Sequence, residues 1–248
     1  MMPDLMDRSR LELLNRKGLK YGLADAEKDY MLAVVLKLIF SSALAQRMVF
    51  KGGTALYHCY LKQTRFSSDL DFTASVTMEE FSALFSGNER LKIKETVSKK
   101  FGYDLVLQYT GPLEFPNSIF VNVNTNQKVL LKTKRLKYIN NYGLDFICAV
   151  LDEKEIFAEK IRTLNERTKP RDYYDLAMLK RYYKIELAEC LALAKRKELH
   201  IPLSKEHMLK NIKLTMTAYE REMNELYYGE EVKKEEVELL AKEIAGLI

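Results

Sequence analysis

Asp69 and Asp71 stand two residues apart in the run Asp69 to Ala74, whose apolar residues predict a β-strand. Side chains two apart on a strand point to the same face, so the two carboxylates lie side by side. Such a pair is repulsive unless a cation lies between the oxygens, and hard oxygen ligands suit Mg²⁺ shared with substrate phosphates. The pair therefore indicates a Mg²⁺ site. A solvated strand edge would show the same two residues.

A glycine pair lies upstream of the aspartates. The segment Phe50-Lys51-Gly52-Gly53-Thr54 joins a short apolar strand to a predicted helix. Glycine lets the backbone approach a ligand closely, and the start of a helix presents unpaired N–H groups to an anion. A simple turn from strand to helix would also use glycines here. A phosphate cradle followed, one helix later, by a metal-binding carboxylate pair is the arrangement that phosphoryl transfer needs.

The helix predicted over residues 153–167 carries Lys160 within its apolar face. The apolar residues of that face are Ile156, Phe157, Ile161 and Leu164. A lysine that points to the interior needs an anionic partner, and a triphosphate would serve, with Lys160 neutralising charge as the leaving group departs. The alternative is a lysine at the edge of the apolar face whose ammonium group reaches solvent.

The next predicted helix opens with Arg171, Asp172 and Asp175. Asp172 is expected to be the N-cap, with Asp175 near the positive end of the helix. A functional role is compatible with capping: one of the two carboxylates would orient Lys160 while Arg171 contacts phosphate. The residues alone do not show which of the two acids has that role.

Two separated motifs are present in order. The first is Gly52-Gly53-Thr54 followed by Arg65-Phe66-Ser67-Ser68-Asp69-Leu70-Asp71. The second runs from Glu155 to Leu164 and continues through Glu166-Arg167-Thr168-Lys169-Pro170-Arg171-Asp172-Tyr173-Tyr174-Asp175-Leu176. Together they resemble the AbiEii/AbiGii toxin family of the polymerase-β-like nucleotidyltransferase superfamily, whose downstream pattern is "AeKlraL…R…RDlyDl".

The resemblance implies a metal-dependent nucleotidyltransferase that moves a nucleotide from an NTP onto an acceptor and releases pyrophosphate. It implies a toxin of a bacterial toxin–antitoxin or phage-defence pair, with tRNA as the expected acceptor and a separate antitoxin protein encoded nearby. The implied site residues fall into three groups. The metal ligands are Asp69 and Asp71 for Mg²⁺; the catalytic residues add Lys160, Asp172 and Asp175; the nucleotide contacts are Gly52, Gly53, Thr54, Ser67, Lys160 and Arg171.

One feature departs from the superfamily pattern, which usually places a third carboxylate on a later strand beside the aspartate pair. The corresponding strand is expected over residues 119–124, where Asn122 and Asn124 stand, and Glu114 lies close but off the strand. This departure keeps open a catalytically decayed, nucleotide-binding regulatory protein. A nucleotidyltransferase that modifies a small molecule or a protein is the other alternative.

Composition indicates a soluble protein without a membrane partner. Hydrophobic residues make up 47% and charged residues 30% of the 248 residues, and the net charge of +5 permits a nucleic-acid partner without arguing for one. The three scattered cysteines indicate reduced thiols. The N-terminal residues lack the apolar core of a signal peptide, so a cytoplasmic location is expected.

The expected fold class is α+β: a polymerase-β-like nucleotidyltransferase domain with a mixed sheet and a helical N-terminus over residues 1–152, then an all-helical domain over 153–248. The active site is expected in the cleft between them. Residues 78–100 are predicted to form one or two helices. Strands are predicted at 103–109, 119–125, 129–138 and 144–151. The basic run Lys128 to Lys137 could steer tRNA or form a solvated strand face.

Overall fold

The computed structural model describes residues 4–197 and 201–248. Contacts between Cα atoms divide the described residues into two compact units. The first unit contains the described residues up to Gln127 together with Thr133–Val150. The second contains Lys128–Lys132 and Leu151–Ile248.

The first unit is built on a mixed sheet, which has seven strands within the described residues, in the order β3-β4-β5-β2-β1-β7-β6. The strands are β1 (Met48–Lys51), β2 (Asp69–Ala74), β3 (Leu91–Lys99), β4 (Gly102–Thr110), β5 (Pro116–Asn124), β6 (Lys134–Lys137) and β7 (Ile147–Val150). The central strand β2 pairs antiparallel with β1 and parallel with β5. This arrangement confirms the predicted mixed sheet.

The helices of the first unit pack on this sheet. They are α1 (Arg8–Lys17), α2 (Leu23–Phe40), a 3₁₀ helix (Ala43–Arg47), α3 (Gly52–Ala55), which continues as a wider turn over Leu56–Tyr60, and α4 (Met78–Ala83). Most residues of α2 are buried, among them Met31, Val35 and Ile39. A helix that is apolar around most of its circumference belongs in a core, and α2 is the central helix of this unit.

The two faces of the sheet differ in composition. On β2, Leu70 and Phe72 are fully buried, and their neighbour Val121 on β5 is buried with them. Alternate residues of the same strands, including Asp69 and Asp71, point to the other face, where side chains are partly exposed. The alternation predicted from the sequence therefore places both aspartates on the more open face.

The prediction of helix up to residue 100 is wrong in its second half. The helix ends with α4 at Ala83, and Leu91–Lys99 forms β3, which pairs antiparallel with β4. Lysine and glutamate favour helices locally, but the ladder with β4 supplies backbone hydrogen bonds that local propensity cannot anticipate. A register shift between Ile93 and Glu95 also interrupts the alternation that would have indicated a strand.

The second unit is helical. Its helices are α5 (Glu153–Glu166), α6 (Pro170–Tyr182), α7 (Leu187–Arg196), α8 (Lys205–Asn224) and α9 (Lys234–Gly246). Ile156, Phe157, Ile161 and Leu164 of α5 are buried, as the predicted apolar face requires. A helical C-terminal half is confirmed.

A short segment outside these helices, Lys128–Lys132, also belongs to the second unit. The backbone N–H groups of Leu130 and Leu131 donate to the two carboxylate oxygens of the buried Glu155, at 3.0 Å each. Glu155 is also 2.7 Å from Lys197 Nζ. The strand expected over residues 129–138 is therefore shorter. The Glu155 carboxylate, and not a neighbouring strand, binds the N–H groups of Leu130 and Leu131. Only Lys134–Lys137 pairs in the sheet, with β7.

Among the described residues, no helix is both long enough and apolar enough to cross a membrane.

Candidate active site

The turn from β1 into α3 lies directly against the aspartate pair. Gly52 has φ +76°, a conformation that side chains with a Cβ rarely adopt. A Cβ added there would lie 2.2 Å from Asp71 Oδ2. Glycine is therefore required at this position both by backbone conformation and by the close approach of the Asp71 carboxylate.

The second glycine faces two polar side chains. A Cβ on Gly53 would lie 2.7 Å from Ser67 Oγ and 3.1 Å from a terminal nitrogen of Arg65. Arg65 is buried, donates to the Phe66 carbonyl at 2.8 Å, and lies over the ring of Tyr57. Gly53 thus has a hydroxyl and a guanidinium group beside its backbone, which are groups that bind phosphate oxygens.

Thr54 fixes the helix to the strand. Its side chain is buried, and its hydroxyl donates to the backbone carbonyl of Asp69 at 2.5 Å. The Asp69 carboxylate in turn accepts a hydrogen bond from Ser68 Oγ at 3.3 Å. The sequence places Thr54 among the expected nucleotide contacts. Its hydroxyl positions Asp69 through this hydrogen bond, so a contact of Thr54 with phosphate would come from its backbone N–H group.

A row of polar side chains crosses four strands through Asp71. Lys51 on β1, Asp71 on β2, Asn122 on β5 and Asp104 on β4 are Cα partners in succession. Neighbouring partners on paired strands share a face, so these side chains line one path across the sheet. Asn122 Nδ2 donates to Asp104 Oδ1 at 2.7 Å. Lys51 Nζ contacts Gln127 Oε1.

This row shows which residue stands beside Asp71 on the strand that usually carries a third carboxylate. The expected strand is β5, and the position beside Asp71 is occupied by Asn122, as the sequence indicated. An acid, Asp104, stands one strand further away and also forms an ion pair with Lys99. Glu114 lies in the turn before β5, with φ 61°, and is 3.1 Å from Arg90.

The donor set suits a magnesium ion held jointly with substrate. In the described part of the chain, no cluster of three or more His, Cys, Asp and Glu side chains is arranged to hold a metal. Mg²⁺ usually takes only one or two carboxylates, and substrate phosphates and water complete its shell. Asp69 and Asp71 are partly exposed carboxylates on one face, which meets that requirement.

The residues of the second motif form their own cluster in the second unit. Lys160 Nζ lies 2.7 Å from Asp172 Oδ1 and 2.6 Å from Asp175 Oδ2. Both aspartates are essentially buried and Lys160 is 8% exposed. The anionic partner expected for Lys160 is therefore present within the chain, and both candidate acids contact the lysine.

Arg167 completes this cluster. Its Nε donates to Asp172 Oδ2 at 2.7 Å and its Nη2 to Asp172 Oδ1 at 2.9 Å. Burial acts to raise the pKa of Asp172, but the charges and hydrogen bonds of Lys160 and Arg167 outweigh it and hold that pKa well below its usual value. Asp172 is therefore ionised at neutral pH.

The start of α6 differs from the expectation. Lys169 is the N-cap and Pro170 the first helical residue, so Asp172 is not the cap. Pro170 favours the start of the helix at this position. The Asp172 side chain is not used as a cap and bonds Lys160 and Arg167 instead. Arg171 is partly exposed and lines a depression with Glu222 and Glu225.

Sequence reasoning missed several residues of these clusters. Arg65 lies within the first motif, and its position before the Ser67-Ser68 pair was a usable signal. Lys51, next to Gly52, was another. Arg167 lies within the second motif, which was a usable signal as well. Asp104 carried no such signal, because only the register of the sheet brings it into place.

The fold and these clusters define a nucleotidyltransferase. The sequence profile of the nucleotidyl transferase AbiEii toxins, of type IV toxin–antitoxin systems, matches residues 35–241. The chain belongs to this AbiEii family. Membership implies an NTP substrate and an antitoxin partner.

One solved structure shares the fold over nearly the whole chain. The nucleotidyltransferase toxin MenT4 from Mycobacterium tuberculosis H37Rv superimposes with a TM-score of 0.73 at 22% sequence identity, covering 98% of this chain and 89% of that chain. An antigenic nucleotidyltransferase-like protein from Paracoccidioides brasiliensis is more distant, with a TM-score of 0.41 at 17% identity, covering 62% of this chain and 75% of that chain. No curated protein sequence matches the chain significantly.

Proposed function

We propose that this enzyme transfers a nucleotide from an NTP to tRNA in a Mg²⁺-dependent reaction. The observation that carries the proposal is the packing of Gly52 against Asp71, since a Cβ there would lie 2.2 Å from the carboxylate oxygen. That contact places a glycine-rich helix start, which suits phosphate, directly beside oxygen ligands that suit Mg²⁺.

Asp69 and Asp71 are the proposed metal ligands. A bound Mg²⁺ would polarise the phosphate that is attacked and offset the charge that develops on it. The chain's own part is to hold both carboxylates on one face of β2. Thr54 contributes by fixing the backbone of Asp69.

The triphosphate is proposed to lie along the start of α3. Gly52 and Gly53 let the Asp71 carboxylate and the Ser67 hydroxyl lie close to the backbone, and the N–H groups of Gly53 and Thr54 at this helix start can bind an anion. Ser67 and Arg65, both beside Gly53, would add a hydroxyl donor and a positive charge.

The role proposed for Lys160 is to neutralise negative charge on the nucleotide, with Arg171 as a second cation. Asp172 and Asp175 orient the Lys160 ammonium group, since each bonds it at 2.7 Å or less. The charges of Lys160, Arg167, Asp172 and Asp175 sum to zero. Lys160 can therefore act on a phosphate only if its ammonium group gives up part of its interaction with the two aspartates and bonds the phosphate instead.

tRNA is the proposed acceptor on two grounds, the family and the exposed basic residues after β5. Lys128, Lys132, Arg135 and Lys137 are exposed, although they do not form the single strand that the sequence predicted. Exposed cations attract a polyanion through counterion release, which favours RNA over a small neutral acceptor.

The identity of the acceptor is tested by incubating the enzyme with Mg²⁺ and each α-labelled NTP. Total RNA, cellular protein or a panel of hydroxylated small molecules is added in turn. Label is expected in the tRNA fraction. Label in protein or small molecules with unlabelled RNA would replace tRNA by that acceptor. The charge reversal of Lys132, Lys134 and Lys137 to Glu should lower tRNA labelling and flatten its salt dependence while NTP binding stays unchanged.

A further inference from the structure

The open face of the sheet continues from the aspartate pair across β5 and β4 to the edge strand β3. Its side chains are mainly small and polar, including Gln108, Ser118 and Asn122. One aromatic residue interrupts them. Phe120 on β5 is 40% exposed and is the Cα partner of Asp69.

The position of Phe120 distinguishes it from ordinary exposed apolar residues. Single exposed hydrophobic side chains are common and need no explanation. Phe120, however, lies one strand spacing, about 4.8 Å, from a proposed metal ligand and on the same face. Its partner on the other side is Val106, which is partly exposed, so the ring has an apolar neighbour and an open side.

The two sides of β2 are not equivalent for the reaction. On the β1 side, Gly52 and the start of α3 lie against Asp71, and this is where the triphosphate is proposed to bind. On the β5 side lies Phe120. In phosphoryl transfer the attacking and leaving oxygens are roughly in line on opposite sides of the phosphorus. Pyrophosphate leaving on the β1 side therefore places the acceptor on the β5 side.

We propose that Phe120 is a binding residue for the acceptor, and that its ring stacks on an unpaired nucleobase of the RNA next to the attacked oxygen. This inference rests on the proposed function. Every nucleobase presents a π-face, so an exposed aromatic ring on a sheet binds single-stranded RNA with little sequence preference. Asn122 and Ser118, two residues away along β5 on either side, offer hydrogen bonds to the same nucleotide.

The charge at the far edge of this face fits an RNA strand. Lys92 and Lys99 on β3 belong to the rows that pass through Gln108 and Gly102 on β4, and both are exposed. Lys94 in the bulge and Lys100 after the strand are exposed as well. The row through Phe120 and Val106 ends at the exposed Glu95, and Lys99 is paired with Asp104. An RNA chain that crosses β4 would therefore meet Lys92, at the end of the row through Ser118 and Gln108, with its phosphates.

The chain contains no tryptophan, so Phe120→Trp introduces a single fluorescent reporter that can itself stack on a base. Phe115→Trp is the matched control, because Phe115 is 72% exposed in the turn before β5. Single-stranded RNA should quench and shift the fluorescence of Phe120→Trp and leave that of Phe115→Trp nearly unchanged. Inorganic polyphosphate, which carries charge without bases, should change neither.

Transfer assays give the second readout. Phe120→Ala should raise the KM for tRNA roughly tenfold, from the loss of one stacked base, with the Kd for NTP unchanged. Phe115→Ala should match wild type. The inference is overturned, and the proposed function stands, if Phe120→Ala transfers normally while Asp71→Asn is inactive.

The fluorescence arm distinguishes the remaining outcomes. Quenching of Phe120→Trp by NTP and Mg²⁺ but not by RNA would assign the ring to the incoming nucleotide and overturn the acceptor role. If wild type transfers no nucleotide to RNA, the proposed function fails, and quenching by RNA alone still supports a base-binding ring at this position.

Discussion

The two acidic clusters of this enzyme differ in how deeply they are buried. Asp172 and Asp175 are buried, and Lys160 and Arg167 from the same unit bond them at distances of 2.6 to 2.9 Å. Asp69 and Asp71 are partly exposed, and a glycine turn packs against them. The first cluster is buried within the chain, whereas the second lies on a strand face that solvent ions can reach.

The difference in burial predicts different consequences of mutation in the two clusters. Buried ion pairs are strongly destabilised when one partner is removed, because a charge is left without compensation in a low dielectric. Partly exposed carboxylates remain hydrated when a neighbour is lost. Mutations in the two clusters should therefore affect activity and stability in different proportions.

The largest expected effect on activity comes from Asp69→Asn or Asp71→Asn. Either change removes a proposed metal ligand and should lower nucleotide transfer on the order of a thousandfold, while the free energy of unfolding changes by less than about 1 kcal/mol. Initial rates with labelled NTP and urea unfolding curves check both halves. Full Mg²⁺-dependent activity in either variant would remove the aspartate pair from the site.

Lys160→Met should have the largest effect on stability. It leaves two carboxylates buried beside an apolar stem and should reduce the free energy of unfolding by about 3–5 kcal/mol. The sequence alone suggests the opposite, since a lysine on an apolar helix face would lose nothing by becoming methionine. Chemical unfolding without nucleotide measures the change, and a Met variant as stable as wild type would contradict the ion pairs.

The variant that combines Lys160→Met with Asp172→Asn and Asp175→Asn separates structure from chemistry. With the buried charges gone, most of the lost stability should return, because neutral isosteres can replace a buried ionic group with little penalty. If Lys160 acts on the nucleotide, this stable variant stays inactive. Recovery of transfer along with stability would assign the lysine to the fold alone.

The two glycines give a graded comparison within the open site. Gly52→Ala forces a Cβ to 2.2 Å from Asp71 Oδ2 at φ +76°, so the carboxylate must move. A displacement of this size should cost about a hundredfold in rate. Gly53→Ala meets Ser67 Oγ at 2.7 Å, and that hydroxyl can rotate, so a smaller loss is expected. Equal rates for the two variants would contradict a role for the Gly52–Asp71 contact in the reaction.

The smallest effect is a pH dependence confined to the buried cluster. The folded-state pKa of Asp172 is depressed, so its contribution to stability is complete above the ordinary aspartate pKa of about 3.9 and is lost as pH falls toward the folded value. The stability difference between wild type and Asp172→Asn should shrink by up to about 1.4 kcal/mol per pH unit below about pH 4. Urea unfolding at about pH 6, 4 and 3 measures it; a constant difference would contradict the shift.

The sequence predicted the strand and the turn around the aspartate pair. The strand Asp69–Ala74 matches β2 in both bounds, because its apolar alternation is strong and its ends are marked. The glycine turn also needs only local information. Those features depend on residues close together in the chain.

The elements that were missed depend on distant partners. β3 became a strand by pairing with β4, although its lysines and glutamate favour a helix. Lys128–Lys132 left the sheet because Glu155 binds its backbone. The pairing of Asn122 with Asp104 follows from the register of β5 on β4, which no local pattern contains.

The most direct test of the central claim uses one NTP labelled in turn at the α- and the γ-phosphate, with tRNA, Mg²⁺ and either wild type or Asp71→Asn. Wild type should leave the α label on tRNA and release the γ label as pyrophosphate, and Asp71→Asn should do neither. Transfer of the γ label to RNA, or equal α-labelling by the two proteins, would contradict nucleotidyl transfer at this site.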